Sequence, residues 1–132
     1  MKYLLDSDTL AGAVRGRLPV VLKLDRLKPT DIAVSVFARM EAETALRLQP
    51  RAQARYGKLL KEFLGSVHLL DFGQAEVQQA VNLGAYLQAA GEKLSTLDLL
   101  QAATALSHQL VLVTDRPAAF AGVPNLDVER WA

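Results

Sequence analysis

Acidic side chains sit where chemistry could use them at several separated points of this chain. Asp6 and Asp8 stand one residue apart directly after the apolar run Tyr3-Leu4-Leu5. Strands alternate their side chains, so the pair shares a face if the strand continues and splays around its end if a turn begins there. Asp8 also suits the N-cap of a following helix, where a carboxylate accepts from free backbone amides. Glu41 and Glu43 follow a second apolar run, Asp98 lies three residues after Ser95, and Asp115 follows the run Leu110 to Thr114. Carboxylates from separate elements that meet at one point repel, and a divalent cation relieves the repulsion. Oxygen ligands suit Mg²⁺ and Mn²⁺, and such ions can activate water for attack on a phosphodiester. Hydrolysis of nucleic acid is the chemistry these residues suggest.

The elements that must position them follow from apolar periodicity and turn residues. Lys2 to Leu5 reads as a short buried strand, and Thr9 to Val14 as a helix that Gly16 and Pro19 interrupt. Val20 to Leu27 makes a second short helix. Ile32 to Val34 is a brief strand running into Ser35, an N-cap for a helix from Val36 to about Leu48. Pro50 opens the next helix, which Gly65 ends. Val67 to Leu70 is strand-like, Gln74 to Ala90 is a long helix closed by Gly91, and Thr96 to Ser107 is another. Leu110 to Thr114 is the clearest strand, and Leu126 to Glu129 adds a last short one. Strands alternating with helices require crossovers, which predicts an α/β fold with a mostly parallel central sheet flanked by helices on both faces.

In open sheets of this kind ligands bind at the carboxyl ends of the strands. Asp6 ends the first strand. Glu41 and Glu43 fall on opposite flanks of the strip Val36, Met40 and Thr44, so only one of them faces a shared cleft. Ser95 and Asp98 resemble a capping box. Asp98, Gln101, Thr104 and His108 also form a polar stripe on an otherwise apolar helix, which faces solvent or a cleft. Asp115 suits a turn as well as a ligand.

The bulk numbers narrow the classes. The chain has 132 residues, of which 51% are hydrophobic, so a single domain over 1–132 can bury a continuous core. It has no cysteine, hence no disulfide and no thiolate metal site, which fits a cytoplasmic protein. Lys2 alone precedes the first apolar residues, so neither a signal peptide nor a membrane span is expected there. A net charge of +1 does not by itself advertise a polyanion partner.

The segments carrying these acids resemble the PIN-domain ribonucleases, and within them the VapC toxins of bacterial toxin–antitoxin pairs. LLDSDTL is similar to the opening motif, with its first acid at Asp6 and a polar position at Asp8. AVSVFARMEAETAL resembles the second motif and places the family's glutamate at Glu41 rather than Glu43. STLDLLQAATAL resembles the third motif around Asp98, and LVLVTDRPAAFAGVPNLDVERW the closing segment. That segment departs from the pattern: the family's fourth Asp or Asn falls two residues after the threonine, and Arg116 stands there. Asp115 is the candidate substitute.

The resemblance implies a PIN-like three-layer α/β/α fold and a Mg²⁺- or Mn²⁺-dependent endoribonuclease acting on RNA. It also implies inhibition by a VapB-like antitoxin, and a homodimer. Asp6, Glu41, Asp98 and Asp115 would be its metal-holding and catalytic acids. Ser35 and Thr114 would orient them, and Arg15, Arg17, Arg39 and Arg116 are candidates for phosphate contact. The apolar faces carrying Tyr56, Leu60 and Phe63, and Val81, Leu83 and Tyr86, are candidates for the dimer and antitoxin surfaces, or ordinary core.

Two rivals remain at this level. Asp6-Ser7-Asp8 also resembles the DxD motif of haloacid-dehalogenase-type phosphatases, with Asp6 as nucleophile and Asp8 as general acid, but no lysine follows Thr114. A binding module with a degenerate acidic pocket is the other, and Arg116 is its best support. No phosphate-binding glycine loop and no G-x-S-x-G elbow occurs. His68 and His108 lie on separate elements without a partner ligand at helical spacing.

Overall fold

The structure, a computed structural model, describes residues 1–131. Its elements are β1 (Tyr3–Leu5), α1 (Ser7–Arg15), α2 (Leu18–Leu24), a 3₁₀ turn (Pro29–Asp31), β2 (Ile32–Ser35), α3 (Val36–Arg47) and α4 (Pro50–Ser66). They continue as β3 (His68–Leu70), α5 (Gln74–Ala89), α6 (Thr96–His108), β4 (Val111–Val113), a second 3₁₀ turn (Pro117–Phe120) and β5 (Val128–Glu129). All strand pairs are parallel, in the order β3-β2-β1-β4-β5. Tyr3 lies beside Ile32 on one side and Val111 on the other, and Leu5 beside Val34 and Val113.

The period of two along the strands sorts the interior into two layers. Leu5, Ile32, Val34 and Val113 point to the face covered by α1 to α4, where Leu10, Val20, Ala38, Leu46, Leu60 and Leu64 meet them. Leu4, Ala33 and Leu112 point to the other face, against Leu83, Leu87, Ala102 and Ala105 of α5 and α6. The three layers expected from the alternation of elements are therefore present, and β1, buried on both sides, is the middle of the sheet.

Several boundaries differ from the sequence expectations for local reasons. The first helix begins at Ser7 rather than Thr9, because Asp6 is its N-cap and accepts the Thr9 amide at 2.8 Å. Asp8 lies exposed in the first turn and is not the cap. The second helix starts at Leu18 and takes Pro19 into its first turn, where a missing amide costs nothing. Helix α4 runs through Gly65 to Ser66, so that glycine does not end it. Gly91 does follow the end of α5 in the left-handed region, φ 72°, as a helix C-terminus favours. The flanking strands are shorter than expected, Val111–Val113 and Val128–Glu129.

Candidate active site

Strand β1 is followed in sequence by β2 and β3 on one side of it and in space by β4 and β5 on the other, which makes the carboxyl ends of β1, β2 and β4 the switch point of the sheet. The residues ending those strands are polar yet buried: Asp6, Ser35 and Thr114. A cleft of about 230 Å³ opens there, lined by Asp6, Ser7, Glu41, Ser95, Leu97, Asp98, Gln101 and Arg116. Asp6, the N-cap of α1, Glu41, in the second turn of α3, and Asp98, in the first turn of α6, thus line one cleft from elements far apart in sequence.

Each acid is placed by a different local device. Asp6 is fixed by its capping role, and its own amide donates to Val113 of β4 at 3.0 Å. Burial raises its pKa, against the hydrogen bonds from Thr114 and Thr9, and the neighbouring charge of Asp8 raises it further. Asp6 forms no salt bridge among the described residues. Glu41 is set by α3, whose N-cap Ser35 accepts the Ala38 amide at 3.1 Å. Glu43 faces away from the cleft and pairs with Arg39 at 3.2 Å.

Asp98 sits in the first turn of α6, where Ser95 accepts its amide at 3.2 Å. Its carboxylate takes both forks of Arg116, at 2.9 and 3.0 Å. That contact is the main reason its pKa is held below the ordinary aspartate value. Arg116 in turn is anchored at its backbone, whose amide donates to Thr114 Oγ1 at 3.1 Å.

Asp115 stands outside this cleft lining: its carboxylate receives Arg17 at 3.0 and 3.1 Å. Arg17 reaches it by passing close over α1, where a Cβ on Gly12 would come within 3.0 Å of the guanidinium. Both partners are thus engaged with each other, away from the cleft. Arg39 is likewise turned to Glu43. Arg15 lies 4.8 Å over the Tyr56 ring and lines a neighbouring, mainly apolar cleft of about 230 Å³ that shares Ser7 and Glu41 with the acidic one.

The polar stripe of α6 divides. Asp98 and Gln101 line the cleft, whereas Thr104 is buried and donates to Leu100, and His108 contacts Glu76 of α5 at 3.1 Å. Gln101 is 4% exposed; its Oε1 accepts from Ser35 at 2.7 Å, and its Nε2 has no partner. A buried amide donor left unpaired is costly unless something else meets it. Sequence reasoning placed Gln101 in the stripe but gave it no role.

These donors are hard oxygens of the kind that Mg²⁺ and Mn²⁺ prefer. Among the described residues no three acidic or histidine side chains are close enough together to hold an ion as placed, and both oxygens of Asp98 are taken by Arg116. The chemistry of the donor set fits a divalent ion, and the cation presently against it is a guanidinium.

Comparison with known proteins agrees with the geometry. The family model for the PIN domain matches residues 3–119. The chain belongs to the PIN-domain family. Among solved structures, this PIN domain is similar to a chain in the crystal structure of VapBC2 from Rickettsia felis bound to a DNA fragment from their promoter. The two are 24% identical over 100% of both chains, with a TM-score of 0.89. The DNA-bound VapBC of Salmonella typhimurium gives 20% identity, 100% and 99% coverage and a TM-score of 0.89. A toxin–antitoxin complex from Klebsiella pneumoniae gives 25%, 95% of each chain and 0.70. No curated protein sequence matches this PIN domain. Among the described residues no helix is long and apolar enough to cross a membrane.

Proposed function

We propose that this PIN domain is a VapC-like toxin: a Mg²⁺- or Mn²⁺-dependent endoribonuclease, held in check by a VapB-like antitoxin and acting in the cytoplasm as a single-domain chain. The observation that carries the reading is the convergence of Asp6, Glu41 and Asp98 on one cleft at the switch point of a parallel sheet. The similarity to chains of VapBC and other toxin–antitoxin complexes supports the biological role and the partner.

Asp6, Glu41 and Asp98 would hold the ion, with Asp115, paired with Arg17 outside the cleft lining, as the candidate fourth acid. When bound, a divalent ion supplies an activated water and neutralises charge on the phosphate. The chain's own residues do the rest. Thr114 and Thr9 orient Asp6 by hydrogen bonds, and Ser35 donates to Gln101 Oε1 and so fixes that side chain at the cleft wall. Arg116 is the one guanidinium on the cleft lining and suits a phosphate contact. The exposed residues Val77, Val81 and Tyr86 on α5 are the candidate dimer surface, whereas Leu60 and Leu83 are core.

The test is cleavage of a mixed RNA pool by the unmutated chain and by Asp98→Asn, with Mg²⁺, with Mn²⁺ and with chelator. Loss of cutting in both the variant and the chelated sample is expected. Cutting that persists in either contradicts the reading, and a chain that binds RNA without cutting under any condition favours the degenerate binding module, which Arg116 on Asp98 would explain.

A further inference from the structure

Two cations claim the same carboxylate if the proposed function holds, and this inference rests on that reading. Arg116 engages both oxygens of Asp98 at 2.9 and 3.0 Å, and the charges of Asp6 and Asp8 also act on its guanidinium. A divalent ion against the same oxygens would stand next to that positive group, and like charges at such range repel. The arginine side chain is 52% exposed while the carboxylate it holds is 14% exposed. The ion pair, rather than packing, therefore keeps the guanidinium in the cleft. Its backbone stays pinned to Thr114, so the side chain alone can swing toward solvent.

We propose that Arg116 is a built-in counter-cation of the acidic cleft, which competes with the divalent ion for Asp98 and must leave that carboxylate before the site loads. The guanidinium keeps the metal-free cleft folded and electrically balanced, and it sets a threshold of ion concentration below which the cleft stays closed by its own charge. This is a positioning role exerted through Asp98.

Calorimetric titration of Mn²⁺ into the full chain without RNA tests it. Arg116→Gln should bind Mn²⁺ tighter than the unmutated chain by roughly threefold to tenfold, the scale of a partly exposed ion pair. Arg116→Lys, unable to fork, should fall between them. Lys61→Gln, which removes the same charge from the exposed side of α4, should stay within about twofold, since its charge is screened from the cleft. In the unmutated chain, Mg²⁺ titration should shift the guanidinium NMR signals of Arg116 and saturate with the site, a readout independent of any substitution. Equal affinity in Arg116→Gln and the unmutated chain, equal tightening in Lys61→Gln, or unmoved guanidinium signals at saturating Mg²⁺ overturn the proposal while leaving the nuclease reading intact. Absence of Mn²⁺ binding in every variant overturns both.

Discussion

The two aspartates of the cleft stand in opposite electrostatic states. Asp6, at the end of the central strand, is buried, carries a raised pKa and makes only hydrogen bonds; Asp98, on the opposite wall, is forked by Arg116 and carries a lowered one. Folding tolerates the first because the capped Thr9 amide and the Thr114 side chain hydrogen-bond it, and tolerates the second because a cation neutralises it. One wall thus carries an unneutralised buried carboxylate and the other a paired one. The contrast says where an entering cation gains most: at Asp6, where hydrogen bonds offset only part of the desolvation of the carboxylate and no cation stands against it.

Substitutions at the two walls should accordingly act differently on activity and stability. The largest effect is expected from Asp6→Asn. Cleavage should fall about 100-fold or more, the order seen when a group that acts on developing charge is removed. Its melting temperature should nevertheless hold or rise, because asparagine still caps α1 and no longer buries a charge. A variant that loses stability in parallel with activity would mean that Asp6 serves the fold rather than the reaction.

Ser35→Ala comes next. It removes the acceptor of the Ala38 amide and the partner of Gln101 Oε1, both buried, and should cost about 1–3 kcal/mol in urea unfolding. Asp115→Asn should do far less. The Arg17 pair is partly exposed and screened, so stability should drop by at most about 1 kcal/mol, and cleavage by less than about threefold. A loss matching that of Asp98→Asn would make Asp115 a full member of the catalytic set.

The smallest effect is in pH dependence, and its two signs separate the walls. Asp98 has its folded pKa depressed, so its pairing stabilises the protein above the ordinary aspartate range and is lost as pH falls through the lowered value. Asp6 has its folded pKa raised, so its charge destabilises at neutral pH and the penalty disappears as pH falls through the raised value. Urea midpoints followed from neutral to acid should therefore show Arg116→Gln below the unmutated chain and Asp6→Asn at or above it. Both differences should shrink toward zero in acid; differences that persist unchanged at low pH would exclude these carboxylates as their cause.

Much of this was legible before any coordinates. The alternation of short apolar runs with helical periods carries the three-layer parallel sheet, because a strand buried on both faces and a helix buried on one leave different patterns. The end of the first run picks out Asp6, the polar stripe of the later helix picks out Asp98, and the motif resemblance prefers Glu41 to Glu43. Other features were not legible, for reasons of range. Whether Asp6 or Asp8 caps α1 depends on where the helix starts, a difference of two residues that periodicity does not resolve. Gly65 reads as a terminator but lies inside α4, which continues to Ser66. The Arg116 fork on Asp98 and the contact of Arg17 Nη2 with both oxygens of Asp115 join residues far apart in the chain, and only the fold decides which arginine meets which acid.

Diffraction from crystals soaked in Mn²⁺, collected for its anomalous signal, bears most directly on the acidic cleft as a cation site. A peak is expected between Asp6, Glu41 and Asp98, about 2.0–2.6 Å from their oxygens or from bridging water, the range of hard-ion coordination. The Arg116 side chain should then be turned away from Asp98. Mn²⁺ appearing only elsewhere on the protein, with the cleft unchanged at saturating concentration, would contradict the account.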